Sequence, residues 1–392
     1  MVNTLFNKRA VNLSKALLVA YFALFPFGQL TRIGVNLFSL PLAFNVSDIV
    51  SGLFIIPYLL GVKDKSPITK YYSNLLIYFA FSYLVSLFVF KDIRVLAGFF
   101  YLLRFGSYYF MSRVVSGLYI YKLLAKKSLI ILLKYAFITT LFFAFYQYLF
   151  LPDLRPLKYL GWDDHLYRLT GAFLDPGFAG IILILGFLFF LIEFFQKKIK
   201  MDLIISLLAL IALLLTYSRA SYVAFSVGVI YLIVVTKQKL AKVLIILVLI
   251  AIPFLPRPSS EGVKLERVFS IVSRVGSYKQ ALSVVSQNPL FGVGFNNYCL
   301  ATNSKFFSRS CSSSDASLLT IFATTGILGL IFYLYFWFSV FKSTNSNKYG
   351  LILRVSLITL LTHSLFVNSL FYPWVLGWFS ILAAMGINKT TD

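Results

Sequence analysis

Charge is scarce in this chain of 392 residues, and acid scarcest: 13 Asp and Glu stand against 36 Lys and Arg, and charged residues make up 12%. Soluble domains usually carry about 25% charged residues, so a soluble fold is excluded. There are only two cysteines and two histidines. His165 and His363 are isolated and lack a ligand pattern; His363 falls in an apolar run, where a structural hydrogen bond is the plainer role. No small-residue cleavage site follows the apolar run after Lys8, Arg9 and Lys15. The first helix is therefore read as uncleaved. No internal repeat is visible, which counts against a transporter built from repeated halves.

What is present is apolar: 59% of residues are hydrophobic, and mean hydropathy is +0.85. A bilayer core needs about 20 apolar residues per helix. The pattern predicts an all-α integral membrane protein, one polytopic domain over 1–392, with about twelve transmembrane helices. They are expected near 13–31, 46–61, 70–90, 94–121, 128–150, 171–195, 201–217, 220–236, 240–256, 316–341, 349–370 and 371–388. One long extracytoplasmic loop, 257–315, interrupts the series. The net charge of +23 would suggest nucleic acid in a soluble protein. Here it sets topology, because Lys and Arg hold short loops in the cytoplasm. No nucleic-acid partner is expected, and both termini are placed inside.

The kind of cation differs between the two sides. Inside, only Arg9 and Arg354 are Arg, and the rest are Lys; outside, Arg predominates, with Arg168, Arg219, Arg267 and Arg274 among its members. Topology needs only positive charge. An Arg-rich outer face points to bidentate recognition of phosphate or carboxylate, against the plainer reading that Arg binds lipid headgroups there.

Arg219 sits in Thr216-Tyr-Ser-Arg-Ala-Ser221, at the centre of an apolar run too long for one span. Two helices joined by a tight outer turn would hold it at the membrane surface, either as a functional charge or by snorkelling. Arg104 and Arg113 lie within the helix 94–121. At 1.5 Å per residue Arg104 is about 15 Å below Arg94, placed either to bind substrate or to bond carbonyls. Asp175-Pro176 opens the next span as a cap, or orients an Arg or a sugar hydroxyl. Val275, Tyr278, Leu282 and Val285 have helical spacing, so the long loop carries an amphipathic helix. Arg274 is expected just before its first turn, and Asn288-Pro289 ends it. Gly292-Val-Gly294 is a turn and not a nucleotide fingerprint, because no strand precedes it. Cys299 and Cys311 share this loop, and an oxidising compartment favours their disulfide. The bridge would contribute about 3 kcal/mol in the chain-entropy model. Asp315, at the mouth of the helix 316–341, reads as a cap favoured by the helix dipole or as a base. Asp163-Asp164 is the only adjacent acid pair outside, too few ligands for a hard cation.

These pieces, in order, are Arg168-Leu-Thr-Gly-x-Phe-x-Asp-Pro176, Thr216-x-Ser-Arg219-Ala and Arg274-x-x-x-Tyr278-x-x-Ala-Leu. Pro289-Leu-x-Gly-Val-Gly294, Asp315-Ala-x-x-Leu319 and Gly326-Ile-Leu-Gly329 follow. The set resembles the O-antigen ligase and O-antigen polymerase superfamily of bacterial membrane glycosyltransferases, most clearly over about 165–330. The resemblance implies an enzyme of the bacterial cytoplasmic membrane. It would take glycan from an undecaprenyl-diphosphate carrier, on the outer face, and pass it to a glycan or lipid acceptor, with membrane lipids around it. Family ligases usually place His-Asn where this chain has Asp315-Ala316, and related polymerases often have Asp there. That tilts the expectation towards polymerisation. A Glu often seen before the last motif is Thr324 here. The expected roles are Arg219 and Arg274 on the leaving diphosphate and Asp315 as base. Arg168, Asp175, Arg267 and Arg104 would bind substrate, with no metal and no cofactor. The rival class is a lipid-linked oligosaccharide flippase, which would need neither a structured outer loop nor a base.

Overall fold

The computed structural model describes residues 7–37, 40–64, 67–302 and 313–387. The chain folds as a helical bundle. Its long helices are α1 Lys8–Leu24, α4 Pro67–Phe90, α5 Leu96–Ile120, α6 Lys126–Phe150, α7 Pro176–Lys197, α8 Lys200–Leu215, α9 Arg219–Thr236 and α10 Lys239–Ala251. After the loop come α13 Ser317–Lys342, α14 Lys348–His363 and α15 Pro373–Gly386. Two short helices, α2 Val46–Gly52 and α3 Ile55–Leu59, fill the place of the span expected at 46–61.

Six helical stretches are long and apolar enough to cross a membrane, by length and composition: Lys8–Thr31, Thr69–Phe90, Lys126–Phe150, Pro176–Lys197, Arg219–Thr236 and Ser317–Lys342. The centre of the bundle is α7, buried from Pro176 to Glu193 apart from the half-buried Phe178. A helix apolar on every side has no face for water and packs in the middle.

The structure departs from the sequence reading at three places. The all-α bundle carries one small antiparallel hairpin, β1 Arg32–Leu37 with β2 Leu40–Asn45. Ile33 faces Phe44 and Val35 faces Leu42 across it, so apolar residues at every second position line one side, as a strand requires. The span expected to run to 370 ends at His363. The linker behind it is held by α13 instead, with the Ser317 amide donating to the Ser364 carbonyl (2.9 Å) and the Leu370 amide to Ser317 Oγ (3.2 Å). Third, the loop helix α11 spans Phe269–Gln287, so Arg274 lies inside its second turn and not before its first.

The two ends of the bundle differ in how they handle charge. At the Lys-rich end, the fully buried Glu193 pairs with Lys348 (2.7 Å) and Lys197 (2.9 Å), and Lys134 pairs with Asp202. Arg113 meets Asp64 at 2.6 Å. The opposite end, expected to face outward, has exposed ion pairs such as Arg155–Asp153 (2.7 Å), but its more buried guanidinium groups Arg168, Arg219 and Arg267 rest on carbonyls.

A second, small core lies apart from the main one. Ala281, Val284 and Val285 of α11 pack with Val293, Tyr298 and Ala323. It joins α11 and the short helix α12 Tyr298–Ala301 to the outer half of α13. There α13 is broken at Gly326 (φ 69°, ψ −174°), and the segment 289–294 fills the break. The amides of Val293 and Gly294 donate to the carbonyls of Ala323 (3.2 Å) and Thr324 (2.8 Å), and the Ile327 amide donates back to the Pro289 carbonyl (2.8 Å). Backbone freed inside an apolar bundle must find partners, and this loop supplies them.

Candidate active site

The turn between α8 and α9 is the foundation. The Leu213 carbonyl accepts from Thr216 Oγ1 at 2.7 Å, Tyr217 takes a positive φ of 50°, and Ser218 caps α9. This leaves the carbonyls of Thr216 and Tyr217 turned out of both helices. Arg168, buried, donates to them at 3.0 Å from Nε and 3.3 Å from Nη2. Arg267 donates to the same Tyr217 carbonyl at 3.4 Å and to those of Gly262 (2.6 Å) and Lys264 (2.8 Å). Arg219 donates to the Leu265 carbonyl at 3.0 Å and to Ser270 Oγ. Arg219 and Arg267 thus tie the 262–270 segment to the α8–α9 turn, and Arg168 ties the segment before α7 to the same turn.

Carbonyls satisfy the donors but do not neutralise the charge. Burial, then the nearby Arg267, pulls the Arg168 guanidinium down to about 9. Burial, then Arg219 and Arg274, lowers Arg267. A group of guanidiniums in this condition gains from an anion set among them.

Arg274 is the fourth member. Among the described residues its side chain makes no hydrogen bond and no ion pair, and it is half-buried. Its field reaches Asp315, which burial raises above the usual carboxylate range, which Arg274 pulls down, and which Asp163 and Asp175 push up. The N-cap of α13 is Ala316, with no side-chain cap, so Asp315 stands one residue outside the helix. Its carboxylate has no hydrogen bond among the described residues, while its amide donates to Ser277 Oγ at 3.1 Å.

Asp175 does cap α7: its Oδ1 accepts from the amides of Gly177 (2.7 Å) and Phe178 (2.9 Å). His363 lies behind the α9 turn, between Ser221 Oγ (3.3 Å from Nε2) and Ser369 Oγ (3.1 Å from Nδ1). Arg104 does not join this group. It pairs with Asp48 at 2.8 Å, donates to the Ala43 carbonyl at 3.3 Å and lies 5.1 Å from the Tyr101 ring centroid.

Among the described residues, one group could hold a metal ion: Asp163, His165 and Asp175, whose ligand atoms lie within 4.8 Å of one another. His165, isolated in sequence, is therefore not isolated in space. Asp164, its acidic neighbour, turns away to Lys158 at 2.8 Å. Cys311 lies outside the described residues, and no free cysteine occurs among those described. Sequence reading missed the Thr216 and Tyr217 carbonyls and Ser277. Backbone acceptors leave no residue-type signal, and a single serine in a helix leaves almost none.

A helical bundle with one hairpin and six stretches long and apolar enough to span defines a membrane protein, with an arginine cluster near the Asp315 carboxylate. Residues 204–334 match the family model described as O-antigen ligase. The matched segment takes in Arg219, Arg267, Arg274, Asp315 and both halves of the α13 break, and it supports a role in glycan transfer at a membrane. No curated protein matches the chain.

Proposed function

We propose that this chain is a membrane glycosyltransferase that polymerises a surface polysaccharide. It would use undecaprenyl-diphosphate-linked glycan on the outer face of the bacterial cytoplasmic membrane. One observation carries the reading: Arg274 and Asp315 lie within each other's field, and among the described residues neither side chain has a hydrogen-bond partner. Beside them Arg168, Arg219 and Arg267 are already fixed.

In the reaction, the acceptor hydroxyl attacks the anomeric carbon as the bond to the diphosphate oxygen breaks. Asp315 takes the hydroxyl proton. Negative charge grows on the departing diphosphate, and Arg274 and Arg219 stabilise it, with Arg168 and Arg267 adding field. A diphosphate leaves without a general acid. Attack opposite the leaving group inverts the centre. Neither metal nor cofactor has a step. Asp315 in the place where family ligases carry His-Asn favours polymerisation over transfer to a different lipid.

The test is reconstitution with undecaprenyl-diphosphate oligosaccharide from the host, with products resolved on a gel. A ladder of lengthened lipid-linked glycan, lost in Arg274→Ala and Asp315→Ala, is expected. A single transfer to another lipid would mean a ligase, and no product from a folded protein would favour a flippase. The same assay in EDTA tests metal independence: a rate lost to the chelator and restored by a divalent cation would turn attention to Asp163, His165 and Asp175. Thiol labelling with and without reductant tests a Cys299–Cys311 bridge, and uptake only after reduction is expected.

A further inference from the structure

The chain around α11 meets the chain around α13 at two places, one at each side of the small core. Past the C-terminal end of α11, where 289–294 enters the break in α13, the contact is backbone against backbone. A Cβ on Gly292 (φ +70°) would lie 2.4 Å from the Thr324 carbonyl carbon and the Thr325 amide nitrogen, and one on Gly326 (φ +69°) would lie 2.2 Å from the Leu290 carbonyl oxygen. Neither obstacle is a flexible side chain, so the two segments meet at the closest distance their chains allow. Midway along α11 the contact is Ser277, with the two residues Ser314 and Asp315 ahead of α13. The Ser277 Oγ accepts from the Asp315 amide at 3.1 Å and lies 3.4 Å from Ser314 Oγ. Tyr278, the next residue, donates to the Leu365 carbonyl at 2.6 Å. Residues three and four apart share a helix face, so Arg274, Ser277 and Tyr278 occupy one face of α11, turned towards Asp315.

We propose that Ser277 is a positioning residue for transfer: it holds the Asp315 backbone at a fixed separation from Arg274, and the Gly292–Gly326 contact holds α11 in the place from which Ser277 can do so. Three observations agree. Asp315 has no cap bond of its own to α13, so Ser277 is the side chain that ties it down. Ile271, Val272 and Val275, on the N-terminal half of α11, are exposed, so that half receives little help from packing. Arg274 has no protein partner among the described residues, so its place follows from the helix that carries it.

The inference rests on Asp315 and Arg274 acting in transfer, and the experiment separates the two. Steady-state transfer with varied donor is measured for the full chain in nanodiscs, comparing Ser277→Ala, Ser277→Thr and Asp315→Ala. Loss of the hydroxyl in Ser277→Ala leaves the Asp315 amide unheld. kcat is expected to fall about tenfold, with donor KM within about threefold, because small misplacements of a reacting group cost rate more than affinity. Ser277→Thr keeps the hydroxyl and restores kcat. A Ser277→Ala enzyme at wild-type kcat, with Asp315→Ala inactive, overturns the positioning role and leaves the reaction reading standing. A kcat loss in Ser277→Ala that Ser277→Thr does not repair also overturns it. Activity in Asp315→Ala would bring down the reaction reading, and this inference with it.

Discussion

Arg274 differs from its neighbours in having no carbonyl to hold. Arg168, Arg219 and Arg267 are already bonded to backbone, so removing one of them disturbs structure as well as charge. Arg274→Ala therefore tests charge most cleanly, and a rate loss of about 10²–10³ is expected if it stabilises the leaving group. Arg274→Lys keeps the charge but loses the planar fork, and should recover only part of the rate. Asp315 gives a pH test. The base must be ionised, so rate falls as pH drops through its pKa and is flat above it. Burial raises that pKa beyond the ~4 of an exposed Asp, and Asp163 pushes it further up. In Asp163→Asn the acid limb of kcat should move to lower pH. A limb that stays in place would separate Asp163 from Asp315. These arginines were legible because Arg in an outer loop is expensive where Lys would serve. Their bonds to Thr216 and Tyr217 were not, because any residue supplies a carbonyl.

At the scale of elements, the parts written in local chemistry were readable and those decided by distant contact were not. Asp175-Pro176-Gly177 announces the start of α7, and the Asp175 bonds to two amides deliver it. A cap of this kind contributes about 1 kcal/mol. The early end of α14 has no such signal, since Ser317 on another helix stops it. The hairpin 32–45 was legible only as a gap between spans. The glycine contact gives a prediction here. Gly292→Ala places a methyl against backbone at a positive φ, a strain of about 1–3 kcal/mol before any clash. Amide exchange at Val293, Gly294 and Ile327 should accelerate, while exchange in the α7 interior stays unchanged. Equal acceleration in both would mean that the small core and the main core open together.

For the whole molecule, the contrast between Lys and Arg carried most of what could be read. Glu193 with Lys197 and Lys348 at one end, and the arginine cluster at the other, sort the expected inside and outside loops to opposite ends of the bundle. Sidedness itself remains a prediction. Tags placed after Lys63 and after Ser259 should be reached by a membrane-impermeant label only at the second site in intact cells, and labelling at the first would reverse the topology. The course of single spans was harder to read, because hydropathy cannot see the interruption at 53–54 or the break within α13.

The break at Gly326 also bears on how such a chain can change over generations. A methyl at 292 or 326 would meet main-chain atoms of the facing segment, and every amino acid at the facing positions carries those atoms. No second substitution there can therefore make room. The two positions are not free to trade residues as a packed pair of side chains can. In a saturation library each should tolerate glycine alone, whatever is allowed at the other, and selection for function should return no rescuing double variant.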